Sequence, residues 1–212
     1  MKVDLRFPIL GESRIRSDHG YALYAALSRL MPWVHDDETL GVHPIAGTQI
    51  GGREIAVNRR SDIGIRLKVD SIPKAIELSG AMVTVGNASF RLSVPSVHQL
   101  IPSSTLRSRI VTVKGMLESK NFTEAARRQM VSLGCVSQSH QIHVLKRRTV
   151  AIHNKEIVGF EVIIDRLTAF ESIAIQEQGV GGRRRMGCGV FTPFSPCMSL
   201  AITEDREGGT NG

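Results

Sequence analysis

Two consecutive stretches of this chain carry the same order of strand-like and helix-like segments, and that repetition restricts the possible folds more than any single motif. In residues 3–9 the apolar Val3, Leu5, Phe7 and Ile9 alternate with other residues, as in a strand. A helix is expected over 19–31, with Asp18 as its N-cap and Tyr21, Tyr24, Leu27, Ser28 and Met31 recurring on one face. Pro32 and Trp33 end it, and the acidic turn Asp36-Asp37-Glu38 leads into an extended piece at 41–45. Glycine pairs near 47–52 read as a loop. Residues 63–69 alternate as a strand, and a short helix over 73–79 has Pro73 in its first turn. Residues 82–94 supply one more strand, or two broken at Gly86-Asn87.

The order then recurs. Residues 106–113 alternate as a strand, 121–133 form an amphipathic helix that stops at Gly134, and 142–152 and 157–164 are strands separated by His153-Asn154-Lys155. A helix over 168–178, a glycine-rich loop and a final strand over 189–194 complete the second unit. Each unit reads β-α-β-β-α-β, which is the ferredoxin-like motif. The expected fold is therefore α+β: two tandem ferredoxin-like (RRM-like) domains, with a glycine-rich loop near the C-terminus. Residues 1–95 form the first domain, 96–105 a linker, 106–200 the second domain and 201–212 a polar, glycine-rich flexible tail. The halves share a pattern rather than residues.

The loop is Gly179-Val180-Gly181-Gly182-Arg183-Arg184-Arg185-Met186-Gly187-Cys188-Gly189. Glycines permit positive φ and close backbone approach to a ligand. Clustered N–H groups and arginine forks together favour an anion with repeated phosphates. A nucleotide-phosphate loop would end in Lys-Ser/Thr and open a helix, whereas this one runs into a strand-like apolar stretch. A solvated basic loop is the remaining competitor. Charge favours nucleic acid: of the net +7, residues 101–200 carry 14 Lys/Arg against 7 Asp/Glu, and residues 1–100 carry 12 against 10. Two Tyr, one Trp and seven Phe are too few for binding built on stacked bases. Cys135, Cys188 and Cys197 have neither zinc-ligand nor disulfide spacing. No apolar run is long enough to span a membrane and no signal peptide opens the chain, so a cytoplasmic protein without membrane partners is expected.

The tandem pattern, the loop with Gly179-Val180-Gly181 and Gly187-Cys188-Gly189, and a first helix ending in Val34-His35 resemble the CRISPR repeat-processing endoribonucleases of the RAMP superfamily, near their Myxan-type branch. The resemblance covers residues 1 to about 194. It implies metal-independent, cofactor-free cleavage of CRISPR precursor RNA within its repeats. The ribose 2′-OH attacks the adjacent phosphate, leaving a 2′,3′-cyclic phosphate and a 5′-OH. Implied partners are the repeat RNA and other subunits of a Cascade-type effector. A sister activity on the same fold, non-catalytic RNA binding in an effector, is the alternative.

His35 stands where the family places its histidine, and an imidazole changes charge near neutrality; the competing reading pairs it with Asp36 or Asp37. Relatives carry a Lys shortly afterwards, but residues 36–52 contain neither Lys nor Arg, so His43 is expected in that place. His19, Tyr21 and Tyr24 complete the catalytic candidates. A cationic His at a helix N-terminus is disfavoured, and core packing competes for the tyrosines. Expected RNA contacts are Gly179, Gly181, Gly182, Arg183, Arg184, Arg185, Gly187 and Gly189 of the loop. Arg127 and Arg128 on a helix, and Lys146 and Arg148 on one side of a strand, are added to them. A solvated helix face explains Arg127 and Arg128 equally well, and a solvated edge strand defended by charge is the competing reading of the other pair. His98, His140, His143 and His153 show no partner pattern.

Overall fold

The computed structural model describes residues 1–137, 139–152 and 155–195. Cys197, the His153-Asn154 turn and the 201–212 tail lie outside the described residues. In the first half the elements are β1 (Lys2–Leu10), β2 (Ser13–Arg16), α1 (Gly20–Leu30), β3 (Gly41–Val42), β4 (Thr48–Gly51), β5 (Glu54–Val57), β6 (Asp62–Lys68), α2 (Ile72–Ile76), β7 (Met82–Val85), β8 (Ala88–Leu92) and β9 (Ser96–Gln99). The sheet order β3-β6-β1-β8-β7 is antiparallel, with the helices between strands, as a ferredoxin-like unit requires.

Strand β1 is central because its two faces do different work. Val3, Leu5 and Phe7 pair with Leu67, Ile65 and Ile63 of β6, and all six are buried in one apolar core with Leu23 and Leu27 of α1. The opposite face carries Asp4 and Arg6, and pairs Asp4 with Arg66 of β6. That polar face meets the second half of the chain. Residues 96–99, within the stretch expected to be a linker, add β9 to the first part of β1. All four are exposed, so no apolar alternation marks them as a strand.

Two local expectations are corrected, and one alternative is decided. The stretch near 47–52 is not all loop: Thr48–Gly51 is strand β4, and Gly51-Gly52 open the turn of a hairpin. Gly51, Gly52 and Arg53 all have positive φ, and β4 and β5 flank them in a sheet ordered β2-β5-β4. Asp18 does not cap α1: its Oδ2 accepts the Ala151 N–H at 2.7 Å, and the N-cap residue is His19. The segment 82–94 takes its two-strand option, divided at Gly86, whose φ is 63°.

The second half contains β10 (Leu106–Val111), α3 (Ser119–Ser132), β11 (Gln141–Ile152), β12 (Lys155–Asp165), α4 (Ala169–Gln178) and β13 (Thr192–Pro193). Its order β11-β12-β10-β13 is again that of a ferredoxin-like unit. Helix α3 packs Phe122 against Phe160 of β12, with ring centroids 5.0 Å apart. Helix α4 starts with a full capping box, Thr168 and Glu171 each bonding the other's backbone N–H. The last strand is shorter than expected. Gly189, the first residue of the expected strand, has φ of 66°, and the ladder with β10 is formed by Thr192 and Pro193. Among the described residues no helix is long and apolar enough to cross a membrane.

Candidate active site and cationic cleft

The glycine loop leaves α4 at Gly179 and folds back on the protein. Its N–H groups are mostly spent internally: Gly181 bonds Gln129 Oε1 at 2.7 Å, Gly182 the Thr112 carbonyl at 2.9 Å and Gly189 the Ile110 carbonyl at 2.8 Å. The space a Cβ would fill is occupied as well. It would meet the Gly189 carbonyl oxygen at 2.5 Å from Gly179, that of Thr112 at 2.6 Å from Gly181 and that of Val180 at 2.2 Å from Gly189. Gly187 rests against Pro44. This corrects the reading of these glycines as an open anion nest. They let the chain close on itself, and only Gly182 has free space beside it.

The three arginines diverge. Arg183, in the left-handed region at φ 63°, is exposed and reaches Thr112 Oγ1 at 3.4 Å. Arg184 donates to the Gln178 and Glu38 carbonyls. Arg185 donates to the His35 and Val34 carbonyls, and its guanidinium lies 5.5 Å from the centre of the Tyr24 ring.

That last contact completes a cluster. Pro32–His35 forms a single 3₁₀ turn directly after α1, which swings His35 back over the helix. Its Nδ1 lies 2.9 Å from the Tyr24 hydroxyl, and the two rings stack 22° from parallel. Tyr24 is buried in the first core while His35 is exposed. Among the described residues nothing bonds His35 Nε2, which is free to reach a ligand. If Nδ1–H donates to the tyrosine oxygen, Nε2 presents a lone pair; if the hydroxyl donates, Nε2 presents a proton. One imidazole with an orienting hydroxyl and an adjacent guanidinium can transfer a proton beside a negatively charged centre.

The other histidines are placed differently. His19 is buried, with Nδ1 2.9 Å from the Arg16 carbonyl and Nε2 accepting the Ile45 N–H at 2.9 Å. A carbonyl can only accept and an N–H only donate, so the ring is neutral with its proton on Nδ1. Burial pushes its pKa down. His43 is also buried, its Nδ1 3.3 Å from Arg6 and its Nε2 3.1 Å from Asp4, off the axis of a good hydrogen bond. Burial lowers its pKa too, against the pull of Asp4. Neither ring joins the Tyr24–His35 cluster. Tyr21 is half-buried against the first core. Among the described residues no three His, Cys, Asp or Glu side chains gather as a metal-ligand set.

Both depressed histidines bind protons more readily when unfolded, so they add stability that is present above the ordinary value of 6.5 and lost as pH falls below it. The thermal midpoint is expected to drop between pH 7.5 and 5. His19→Gln, measured by a pH series of melts, should flatten that slope; an unchanged slope refutes the assignment.

Between the large sheets of the two halves, with the β4–β5 hairpin at its side, runs a cleft of about 680 Å³ lined by Arg6, His43, Gln49, Arg107, Arg109 and Arg148. Glu161 of β12, 4% exposed, holds Arg107 through Oε1 and Arg148 through Oε2 at 2.6 Å, which aims both guanidiniums along the wall. Arg109 bonds the Ser17 carbonyl and Arg6 bonds Asp62. Sequence reasoning missed Arg6, Arg107 and Arg109, though Arg107 and Arg109 at alternate positions between Leu106, Ser108 and Ile110 did mark a strand with one basic face. Lys146 is exposed, and a bulge between Val144 and Arg147 interrupts the simple alternation that placed it beside Arg148. Arg127 and Arg128 are exposed on α3, with Arg127 3.4 Å from His140.

Comparison with known proteins agrees with this architecture. The family model described as Cas6 Crispr matches residues 3–196. The CRISPR-associated endonuclease Cas6 of Myxococcus xanthus (strain DK1622) is 36% identical over 191 residues, covering 90% of this chain and 81% of the relative. Among solved structures, a CRISPR associated protein Cas6 superposes with a TM-score of 0.67 at 15% identity, covering 92% of this chain and 99% of the other. A structure described as a RAMP protein binding different RNA substrates gives 0.66 at 14% identity, covering 92% and 100%. At such identities the two structures speak for the fold, while the family match and the M. xanthus relative speak for descent. The chain belongs to the Cas6 family.

Proposed function

We propose that the protein is an endoribonuclease of CRISPR precursor RNA, cutting within each repeat without a metal ion and keeping its product for an effector complex in the cytoplasm. The observation that carries this reading is the exposed imidazole of His35, oriented by the Tyr24 hydroxyl and flanked by Arg185. Attack of a ribose 2′-OH on its own 3′-phosphate needs a proton removed from the nucleophile, a proton delivered to the 5′ oxygen and positive charge at the phosphorane. His35 Nε2 serves a proton transfer, Tyr24 holds the ring, and Arg185 places charge beside the phosphate. The products are a 2′,3′-cyclic phosphate and a 5′-OH. The basic cleft, with Arg183, supplies phosphate contacts that retain the cleaved RNA. His19 and His43, buried and engaged, belong in this reading to the frame that carries the site.

The M. xanthus relative is named an endonuclease, which supports a cutting enzyme over a purely RNA-binding effector subunit. The test is incubation with labelled cognate repeat RNA in EDTA, beside the same RNA carrying a 2′-deoxy at the cut site. Cleavage of the first but not the second, with a cyclic phosphate on the upstream product, is the expected result. Tight binding without cleavage of the cognate repeat would leave the RNA-binding subunit as the function.

A further inference from the structure

The turn that follows His35 is bridged to the end of α4 by two cations in parallel. Lys2 Nζ lies 2.5 Å from the Thr39 carbonyl and 2.6 Å from that of Glu177. Arg184 takes the next pair, the Glu38 carbonyl at 3.1 Å and the Gln178 carbonyl. Successive carbonyls at the C-terminal end of the helix thus face successive carbonyls of the turn, with one cation between each pair. The end of a helix presents unpaired carbonyls and the negative end of its dipole, so it suits such cations. The loop is shaped for this contact. A Cβ on Gly179 would lie 2.8 Å from Cδ of Arg184, so glycine at 179 leaves room for the arginine stem to fold back. Arg185, one residue on, then reaches the His35 carbonyl.

We propose that Arg184 is a positioning residue for RNA cleavage rather than a phosphate grip: together with Lys2 it pins the 35–39 turn to α4 and thereby sets His35 against Arg185. The inference rests on the reading of His35 as the proton-transfer group. It departs from what three adjacent arginines suggest in sequence, because here only Arg183 extends into open solvent. Lys2, 7% exposed, has no face from which to touch RNA, so a shared phenotype of the two residues separates positioning from binding.

The experiment uses the full chain, measuring single-turnover cleavage at saturating protein alongside repeat-RNA Kd at several salt concentrations. Arg184→Ala is expected to lower the saturated rate roughly 10- to 100-fold, the scale of a small misplacement of reacting groups. Kd should stay within about threefold and its salt slope should not change, since no phosphate contact is lost. Arg184→Lys should restore part of the rate, because an ammonium can still reach one of the carbonyls. Lys2→Met should show the same split, and it serves as the test if Arg184→Ala does not fold. Arg183→Ala provides the contrasting signature, a weaker Kd with a salt slope reduced by about one. If Arg184→Ala behaves like Arg183→Ala, or if neither Arg184→Ala nor Lys2→Met slows cleavage, the proposal is overturned. His35→Ala run in parallel keeps the two readings apart. A normal rate there removes the proton-transfer assignment itself, whereas a slow His35→Ala with fast Arg184 and Lys2 variants removes only the positioning role.

Discussion

His35→Ala is expected to slow repeat cleavage at saturating RNA by about 10²- to 10⁴-fold, the usual contribution of a positioned acid or base. RNA affinity should be nearly unchanged, because the imidazole is one small contact while the cleft supplies four guanidiniums of its own. Tyr24→Phe should cost less, on the order of 10-fold, since the stacked ring remains and only the orienting hydroxyl is lost. The ordering matters: in the proposed arrangement the imidazole transfers the proton and the phenol holds it. A Tyr24→Phe defect larger than that of His35→Ala would reverse the roles. A His35→Ala protein that cuts at the normal rate would remove the site from this cluster altogether. Rates should be compared by single-turnover kinetics, which exclude product release.

Arg66→Ala is expected to destabilise the fold by about 3–5 kcal/mol, the range for breaking a buried ion pair. Arg66 is 2% exposed and bonds both oxygens of Asp4, at 2.7 and 2.9 Å, as well as the carbonyls of Gln176 and Phe191. Its removal leaves the buried carboxylate with only Arg6, 3.6 Å away, and His43 beside it, strands two carbonyls, and cuts a connection between the halves. Burial alone would push the Asp4 carboxyl up, but His43 and Arg66 outweigh it and hold the group well below the usual carboxylate range. Asp4 therefore stabilises the fold above its ordinary value and loses that contribution as pH falls through the folded one. The Arg66→Ala defect should be partly repaired by Asp4→Asn, which removes the buried charge that has lost its two shortest hydrogen bonds. A urea-unfolding cycle of the two single variants and the double measures this coupling. Additive losses would mean that the pair does not act as a unit.

How much of the site could be read beforehand depended on distance along the chain. Tyr24 and His35 share a helix and the turn that ends it, so their meeting is nearly local, and both were candidates from the apolar face and the helix-ending position. His43 and His19 stand behind His35 as candidates because a histidine's neighbours in sequence do not reveal whether it is buried. What removes them from the cluster is Ile45 N–H on one ring and Asp4 with Arg6 on the other. The arginine loop shows the same limit. Three consecutive arginines signal charge, but their division into an exposed residue, a bridge and a partner for Tyr24 follows from the left-handed turn at Arg183 and from what lies opposite it.

Sequence by itself determined the tandem order of strands and helices, since apolar periodicity and turn residues act over a few neighbours and each half repeats them. It also determined the basic character of the second half and the glycines without which the loop cannot turn. Tertiary structure alone decided which charges meet. Arg66 reaches the Phe191 carbonyl across 125 residues of chain, and Arg185 reaches the Tyr24 ring from the other half. The cationic cleft likewise exists only where the polar faces of two sheets come together. Such contacts depend on the packing of one half against the other, a geometry set by the sum of many weak interactions and carried by no local pattern.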